Sequence, residues 1–260
     1  MVMKVKLVSK QQYPQLKKLY KEFDVGEEGD ICIAVGGDGT FIKAAREFDG
    51  PILPVRSEEV GSTGYYSDIG LSKIDIIIER IKHKKYRVED LSRKLEIRYK
   101  DKVYYAINEA LLRNKSKEIY FNVYTVENGR KRLLYPYTVS GDGLLITGKV
   151  GSTAYNRTAG GPIILSQDII CVNFLYPESL FTNPLVISGD SDIYIELAKS
   201  AGTLMTDSIE IADLSVKESF YVRQSKKTVK IIRLDGFKEE FSEKLARMIQ
   251  SKMVDGLSSS

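Results

Sequence analysis

The chain has little of what many enzyme sites are built from. It holds one histidine, His83, so a zinc site made of paired histidines is excluded. It holds two cysteines, Cys32 and Cys171, which excludes four-cysteine zinc and iron–sulfur cages. A Ser-His-Asp triad would have to use His83. That residue lies in the basic run Ile81-Lys82-His83-Lys84-Lys85, a composition suited to a solvated helix end. No apolar run approaches the ~18 residues needed to span a bilayer, and Met1-Val2-Met3-Lys4-Val5-Lys6 lacks the apolar core of a signal peptide. No long block of one charge sign occurs. Lys+Arg 39 against Asp+Glu 35 leaves +4, well interspersed, which points away from nucleic acid and stays compatible with small anionic ligands. Both cysteines sit in apolar strand-like runs, so the expectation is two buried reduced thiols in a cytoplasmic protein with no membrane partner.

What the chain does have is a change of rhythm. Its 260 residues allow one large domain or two smaller ones. Val5–Val8, Ile31–Val35 and Ile52–Val55 read as short buried strands. Between and after them, Pro14–Phe23, Phe41–Phe48 and Ser72–Ile81 read as helices. The last carries an Ile74, Ile77, Ile78, Ile81 stripe and a Ser72/Asp75 capping pattern. Strand and helix in alternation predict an α/β domain with a parallel sheet. From about Arg87 the runs become short and rich in Val, Ile and Tyr. Asn128-Gly129 between Phe121–Val126 and Leu133–Tyr137 predicts a hairpin. Ser191–Leu197, Ser208–Ile211 and Thr228–Leu234 add strands, so this part predicts a β-rich, sandwich-like domain. Phe237, Phe241, Leu245, Met248 and Ile249 predict a C-terminal helix returning to the first domain. The expected division is 1–90, with 235–260 packing back on it, and 91–234.

Three segments carry candidate chemistry. In the first, the strand Ile31–Val35 runs into Gly36-Gly37-Asp38-Gly39-Thr40 and then a helix. Glycines allow close backbone approach, and a helix start favours phosphate. The segment is neither a Walker A loop nor a Gly-x-Gly-x-x-Gly turn. A central Asp38 would repel phosphate, unless it faces a hydroxyl that must lose its proton or a bridging metal. The alternative is a tight turn in which Asp38 caps the helix. The second segment is Asn108-Glu109 after the strand Val103–Ile107, an amide and a carboxylate suited to a base edge and a ribose diol, or simply a polar strand end. Both side chains matter together only if the strand ends or bends there. The third contains Ser140-Gly141-Asp142-Gly143-Leu144, then Gly151-Ser152-Thr153-Ala154-Tyr155-Asn156-Arg157-Thr158-Ala159-Gly160-Gly161-Pro162. It offers hydroxyls, amides and a stacking surface at Tyr155, in a loop long enough to suggest function.

Taken in this order and spacing, Gly-Gly-Asp-Gly-Thr, Asn-Glu, Asp-Gly-Leu and Gly-Ser-Thr-Ala-Tyr-Asn resemble the NAD kinase family, over roughly Ile31 to Ile232. The resemblance implies transfer of a phosphoryl group to the 2′-hydroxyl of the adenosine ribose of NAD, giving NADP. It implies ATP or polyphosphate as phosphoryl source and Mg2+ or another divalent cation held mainly by the source's phosphates. It implies a homodimer or homotetramer and a site between the domains. By matching positions, Asp38 is the general base and Gly36, Gly37, Gly39 and Thr40 form the phosphate loop. Asp38, Gly39, Lys43, Asn108, Glu109, Lys117, Asp142, Thr153, Ala154, Tyr155, Asn156, Arg157 and Thr158 contact NAD. The chain departs from the family pattern at Gly148-Lys149-Val150, around Arg56 to Val60 before Gly61-Ser62-Thr63-Gly64-Tyr65, at Ser140, at Glu178 and at Asp207-Ser208. Two other readings compete: a lipid kinase of the diacylglycerol or sphingosine type, which shares the first motif, and a non-catalytic NAD(P) sensor.

Overall fold

A computed structural model describes residues 2–58, 64–127, 129–240, 242–244, 246 and 250. The expected helix residues Phe241, Leu245, Met248 and Ile249 lie outside the described residues, as do Val60, Gly61–Thr63 and Asn128. The chain divides into two compact units, Met1–Asp90 with Val229–Ser260, and Leu91–Thr228.

The first unit runs β1 (Lys4–Ser9), α1 (Lys17–Glu22), β2 (Asp24–Gly26), β3 (Ile31–Gly36), α2 (Asp38–Glu47), β4 (Ile52–Arg56), β5 (Ile69–Gly70) and α3 (Ile74–Lys82). Strand β1 pairs with β2 and β3, β3 with β4, and β4 with β5, all in parallel. Every residue of β3 is buried, as the unbroken apolar run Ile31–Val35 requires of a strand covered on both faces. Leu19 of α1 and Ile74, Ile77, Ile78 and Ile81 of α3 join Val5, Ile33, Val35, Leu53 and Val55 in one core.

Three helix starts differ from expectation. Within the expected Pro14–Phe23, a 3-10 turn over Pro14–Leu16 precedes α1, which begins at Lys17. Helix α2 begins at Asp38, three residues before Phe41, and Gly37 rather than Asp38 occupies the capping position. A carboxylate in the first turn is favoured by the helix dipole without making a cap bond. Helix α3 begins at Ile74, preceded by a 3-10 turn over Leu71–Lys73. Ser72 does not cap it, because its N–H and hydroxyl both donate to the Glu58 carboxylate, at 2.7 and 2.9 Å. Asp75 instead pairs with Lys18 of α1 at 2.7 Å.

The second unit adds β6 (Tyr86–Tyr99), which starts in the first unit, then β7 (Lys102–Ala106), β8 (Glu109–Asn114), β9 (Ile119–Glu127), β10 (Arg130–Leu133), β11 (Val139–Gly141) and β12 (Gly143–Thr147). After the short helix α4 (Tyr155–Thr158) come β13 (Ile169–Leu175), β14 (Leu185–Ser188), β15 (Asp192–Lys199), β16 (Gly202–Thr206), β17 (Ile209–Leu214) and β18 (Ser219–Leu234). One antiparallel sheet has the order β14-β13-β12-β8-β16-β17. The strands β10-β9-β15-β18 form the other, with β11 beside β9 and the β6–β7 pair beside β18. Leu112, Leu144, Ile146 and Val172 of the first sheet share one core with Ile97, Phe121, Ile195 and Phe220 of the second. Phe121 and Phe174 stack across it at 6.3 Å. The expected hairpin forms between β9 and β10, with Gly129 at φ 75°, but its second strand is Arg130–Leu133 rather than Leu133–Tyr137. In the first unit, the end of β18 pairs in parallel with β4, Ile231 opposite Ile52.

Candidate active site

In the first unit, β3 ends at Gly36 and α2 starts two residues later, so Gly36-Gly37-Asp38-Gly39-Thr40 is a strand-to-helix turn. The glycines do different things. A Cβ at Gly36 would overlap the Thr40 side chain, so the turn itself demands glycine there. A Cβ at Gly39 would meet no atom within 4 Å, so nothing in the fold requires glycine at that exposed position. A ligand approaching the backbone would. Asp38 is half-buried, and its Oδ1 accepts the N–H of Tyr66 at 3.2 Å.

Tyr66 is itself held. Its ring stacks on Phe41 of α2 at 4.8 Å, and its carbonyl accepts from Arg233 of β18 at 3.0 Å. Arg233 also pairs with Asp68 at 2.7 Å, and Lys244 reaches the other oxygen of Asp68 at 2.7 Å. These three side chains are each less than a tenth exposed. Burial, and secondarily the Asp38 charge, push the Tyr65 hydroxyl above its ordinary range. Sequence reasoning missed this support. An arginine inside Ile231-Ile232-Arg233-Leu234 was the available signal, since a buried strand end keeps a cation only if it is paired. Lys43 is exposed on α2.

In the second unit the chain bends at Ile107-Asn108 between β7 and β8. The bend removes the objection that neighbouring strand residues face apart. Asn108 is half-buried, and its carbonyl accepts the Thr147 hydroxyl at 2.6 Å. Gly151 lies so close that a Cβ would overlap that carbonyl oxygen. The Gly151–Thr158 segment is thereby brought beside Asn108. Within it Thr153 and Ala154 are half-buried, and Tyr155, Arg157 and Thr158 are exposed. Glu109 is buried, and its Oε2 has no hydrogen-bond partner among the described residues. Burial first, and the charge of Asp207 second, push its carboxyl up to about 7.

Three other expected ligand contacts stand differently: one is buried within this segment and two lie at the far end of β8. Asn156 is fully buried, and both ends of its amide are used inside the chain. Its Nδ2 donates to the Pro162 carbonyl at 2.9 Å and its Oδ1 accepts from Asn173 at 3.1 Å. It shapes the loop from behind. Asp142 accepts from Asn114 at 2.8 Å, at the opposite end of β8 from Asn108, roughly 17 Å along a strand of this length. Lys117 is exposed in the turn between β8 and β9, at that same far end.

Cys32 and Cys171 are buried free thiols, pushed by burial up to about 12 and about 11. Among the described residues no helix is long and apolar enough to cross a membrane. No group of three or more His, Cys, Asp or Glu side chains among them could hold a metal ion.

Comparison with known proteins agrees along the chain. The family model for the ATP-NAD kinase N-terminal domain matches residues 2–86, and that for the ATP-NAD kinase C-terminal domain matches residues 107–234. An NAD kinase of Clostridium beijerinckii is 30% identical over 236 residues, covering 85% of this chain and 80% of that protein. An NAD kinase of Sulfurimonas denitrificans is 28% identical over 222 residues, covering 83% and 74%. A yeast NADH kinase solved with NADH has the same fold at TM-score 0.77 and 20% identity, over 100% of this chain and 89% of that one. An NAD kinase of Archaeoglobus fulgidus solved with ATP gives 0.71 at 17% identity, over 96% and 99%. The two matched domains and the 30% relative together establish that the chain belongs to the NAD kinase family.

Proposed function

We infer that this chain phosphorylates the 2′-hydroxyl of the adenosine ribose of NAD, with ATP as phosphoryl source, and that Asp38 is the base. The observation that carries the assignment is the turn after β3. A half-buried carboxylate, steadied by the Tyr66 N–H, stands beside a glycine whose missing side chain the fold does not need. In the reaction the ribose oxygen attacks the γ-phosphorus, the bond to the bridging oxygen breaks, ADP leaves, and the ribose proton passes to Asp38. Phosphoryl transfer asks for positioning and charge neutralisation more than covalent chemistry. Asp38 orients the ribose hydroxyl before transfer and collects its proton as the bond to phosphorus forms.

The first unit, through Gly36, Gly37, Gly39 and Thr40, is assigned the source's phosphates, with Lys43 a nearby cation. The β-rich unit is assigned the dinucleotide: Asn108 and Glu109 at the bend, and Thr153, Ala154, Tyr155, Arg157 and Thr158 beside it. Asn156 supports that loop. Asp142 and Lys117 serve the far end of an extended ligand. Mg2+ is assigned to the source's phosphates, where it would neutralise their charge; among the described residues no cluster of carboxylate, histidine or cysteine side chains would hold it instead. A cytoplasmic homo-oligomer is the matching assembly; its self-association is supported by Tyr176, Leu180 and Phe181, each more than three-quarters exposed between β13 and β14.

The test is purified protein given NAD or NADH with ATP or polyphosphate and Mg2+, scored by 31P NMR. A new 2′-phosphate from NAD and ATP supports the reading. Tight NADP binding without any turnover would replace it with the sensor, and phosphorylation of diacylglycerol without that of NAD would replace it with the lipid kinase.

A further inference from the structure

We propose that Asp207 is a positioning residue for dinucleotide binding: its carboxylate clamps the backbone of the Asn108–Glu109 bend in the shape that presents both side chains to the ligand. The inference rests on the assignment of that bend to NAD.

Every buried N–H needs an acceptor. Strand β8 pairs with β16 as far as Ala110 opposite Thr206. Beyond that point β16 turns away toward β17, while the chain before Ala110 bends at Ile107-Asn108. On the β16 side the sheet therefore stops supplying acceptors where the candidate site begins, while β12 still pairs Thr147 with Glu109 on the other. Asp207, the next residue after β16, supplies them from its side chain. Its Oδ1 accepts from the N–H groups of Asn108 at 2.7 Å, Ile107 at 3.1 Å and Glu109 at 3.3 Å, and its Oδ2 accepts from Ile107 at 2.9 Å. Its own N–H donates to the Glu109 carbonyl at 3.2 Å. A carboxylate is a stronger acceptor than a carbonyl, and three convergent N–H groups suit its several lone pairs.

The clamp is built at a cost in backbone conformation. Asp207 and Ser208 both take left-handed φ, 47° and 66°. Aspartate tolerates this region better than most residues, whereas serine has no such advantage. The family resemblance expects glycine at the second position, where the same turn would be unstrained. The turn is thus shaped to aim Asp207 at the bend. From the opposite side the Thr147 hydroxyl and the close approach of Gly151 fix the Asn108 carbonyl. The peptide groups around Asn108 are held on two sides, and its side chain remains half-buried at the surface. Glu109, on the same clamped segment, keeps a buried oxygen without a partner among the described residues, as expected of a group held for a ligand.

The experiment compares wild type, Asp207→Asn and Asp207→Ala in the full chain. NAD binding is read by calorimetry and steady-state kinetics are run in NAD and in ATP. Asp207→Ala is expected to raise the NAD dissociation constant and KM at least tenfold, with the ATP KM unchanged and kcat at saturating NAD within about threefold. Asp207→Asn, which keeps one acceptor oxygen, is expected to fall between. Hydrogen exchange on the same proteins should show the amides of Ile107, Asn108 and Glu109 losing protection while those of β12 and β13 keep theirs. Equal NAD affinity in a folded Asp207→Ala protein overturns the proposal. So does a loss that falls equally on NAD and ATP, which is what general destabilisation would give. Should Asp207→Ala not fold, unprotected amides at 107–109 in the wild type would overturn it. Failure of the wild type to bind NAD at all would instead remove the underlying assignment.

Discussion

Two aspartates, Asp38 and Asp207, stand within two residues of the ends of strands, and the chain uses them in opposite ways. Asp207 is spent on architecture: three backbone N–H groups converge on its carboxylate, and the bend they belong to is held by it. Asp38 is itself the group being held. Tyr66 N–H steadies one oxygen, Tyr66 is fixed by Phe41 and Arg233, and the neighbouring Gly39 opens onto space. A carboxylate on which three backbone N–H groups converge is a fixture, because removing it would leave those donors without an acceptor. Asp38 instead borders the exposed Gly39, where the fold leaves open space for a ligand. The same residue type in similar chain contexts is thus sorted into support and chemistry by what converges on it.

That contrast can be attacked from either side, and the largest stability effect lies on the Asp38 side. Arg233→Met removes the cation that joins Asp68 to the Tyr66 carbonyl. Leaving a buried carboxylate with Lys244 alone should cost about 3 kcal/mol. The measurement is urea denaturation, and a loss below 1 kcal/mol would mean that the buried pair is not what steadies this end of the sheet.

A smaller effect sharpens the Asp207 side. Glu109 sits beside the clamp and is pushed up to about 7, against an ordinary 4.5. Between those two pH values the folded chain holds a proton that the unfolded chain has released, so stability falls as pH rises from 4.5 to 7 and stays low above. Glu109→Gln removes the penalty for ionising in a buried place. It should leave stability near wild type at pH 4.5 and raise it by on the order of 2 kcal/mol at pH 8. Thermal melts at both pH values decide, and equal shifts at both would contradict the cause given.

The smallest effects concern single backbone positions. Ser208→Gly should stabilise by about 1 kcal/mol by relieving the left-handed φ of 66°, with NAD affinity unchanged. Gly39→Ala should stabilise α2 slightly, because nothing in the fold meets the added methyl, and should raise the ATP KM. Gly39→Ala with unchanged ATP kinetics would separate that glycine from the phosphates.

The division between what the sequence disclosed and what it hid follows the range of the interactions. The Ile74, Ile77, Ile78, Ile81 stripe and the all-apolar strand β3 were legible, because periodicity within a dozen residues dictates them. So were the turn after β3 and the loop from Gly151, where glycine spacing is local. The diversion of Ser72 to Glu58 was misread, since a local capping pattern is overridden by a carboxylate arriving from another loop, and α2 starts at Asp38 because Gly37 takes the capping position. That Asn156 is buried, with its amide bonded to Pro162 and Asn173, could not be read from its neighbours in the chain. Asp207 showed only as Asp-Ser where the family resemblance expects Asp-Gly. Its partners lie about a hundred residues away, and no local pattern could name them.

The most direct test of the account is Asp38→Asn, assayed with NAD, ATP and Mg2+ beside calorimetry of NAD binding. Loss of the base should lower kcat by about a thousandfold while NAD affinity stays within about twofold of wild type. Turnover near that of the wild type would contradict the assignment of Asp38.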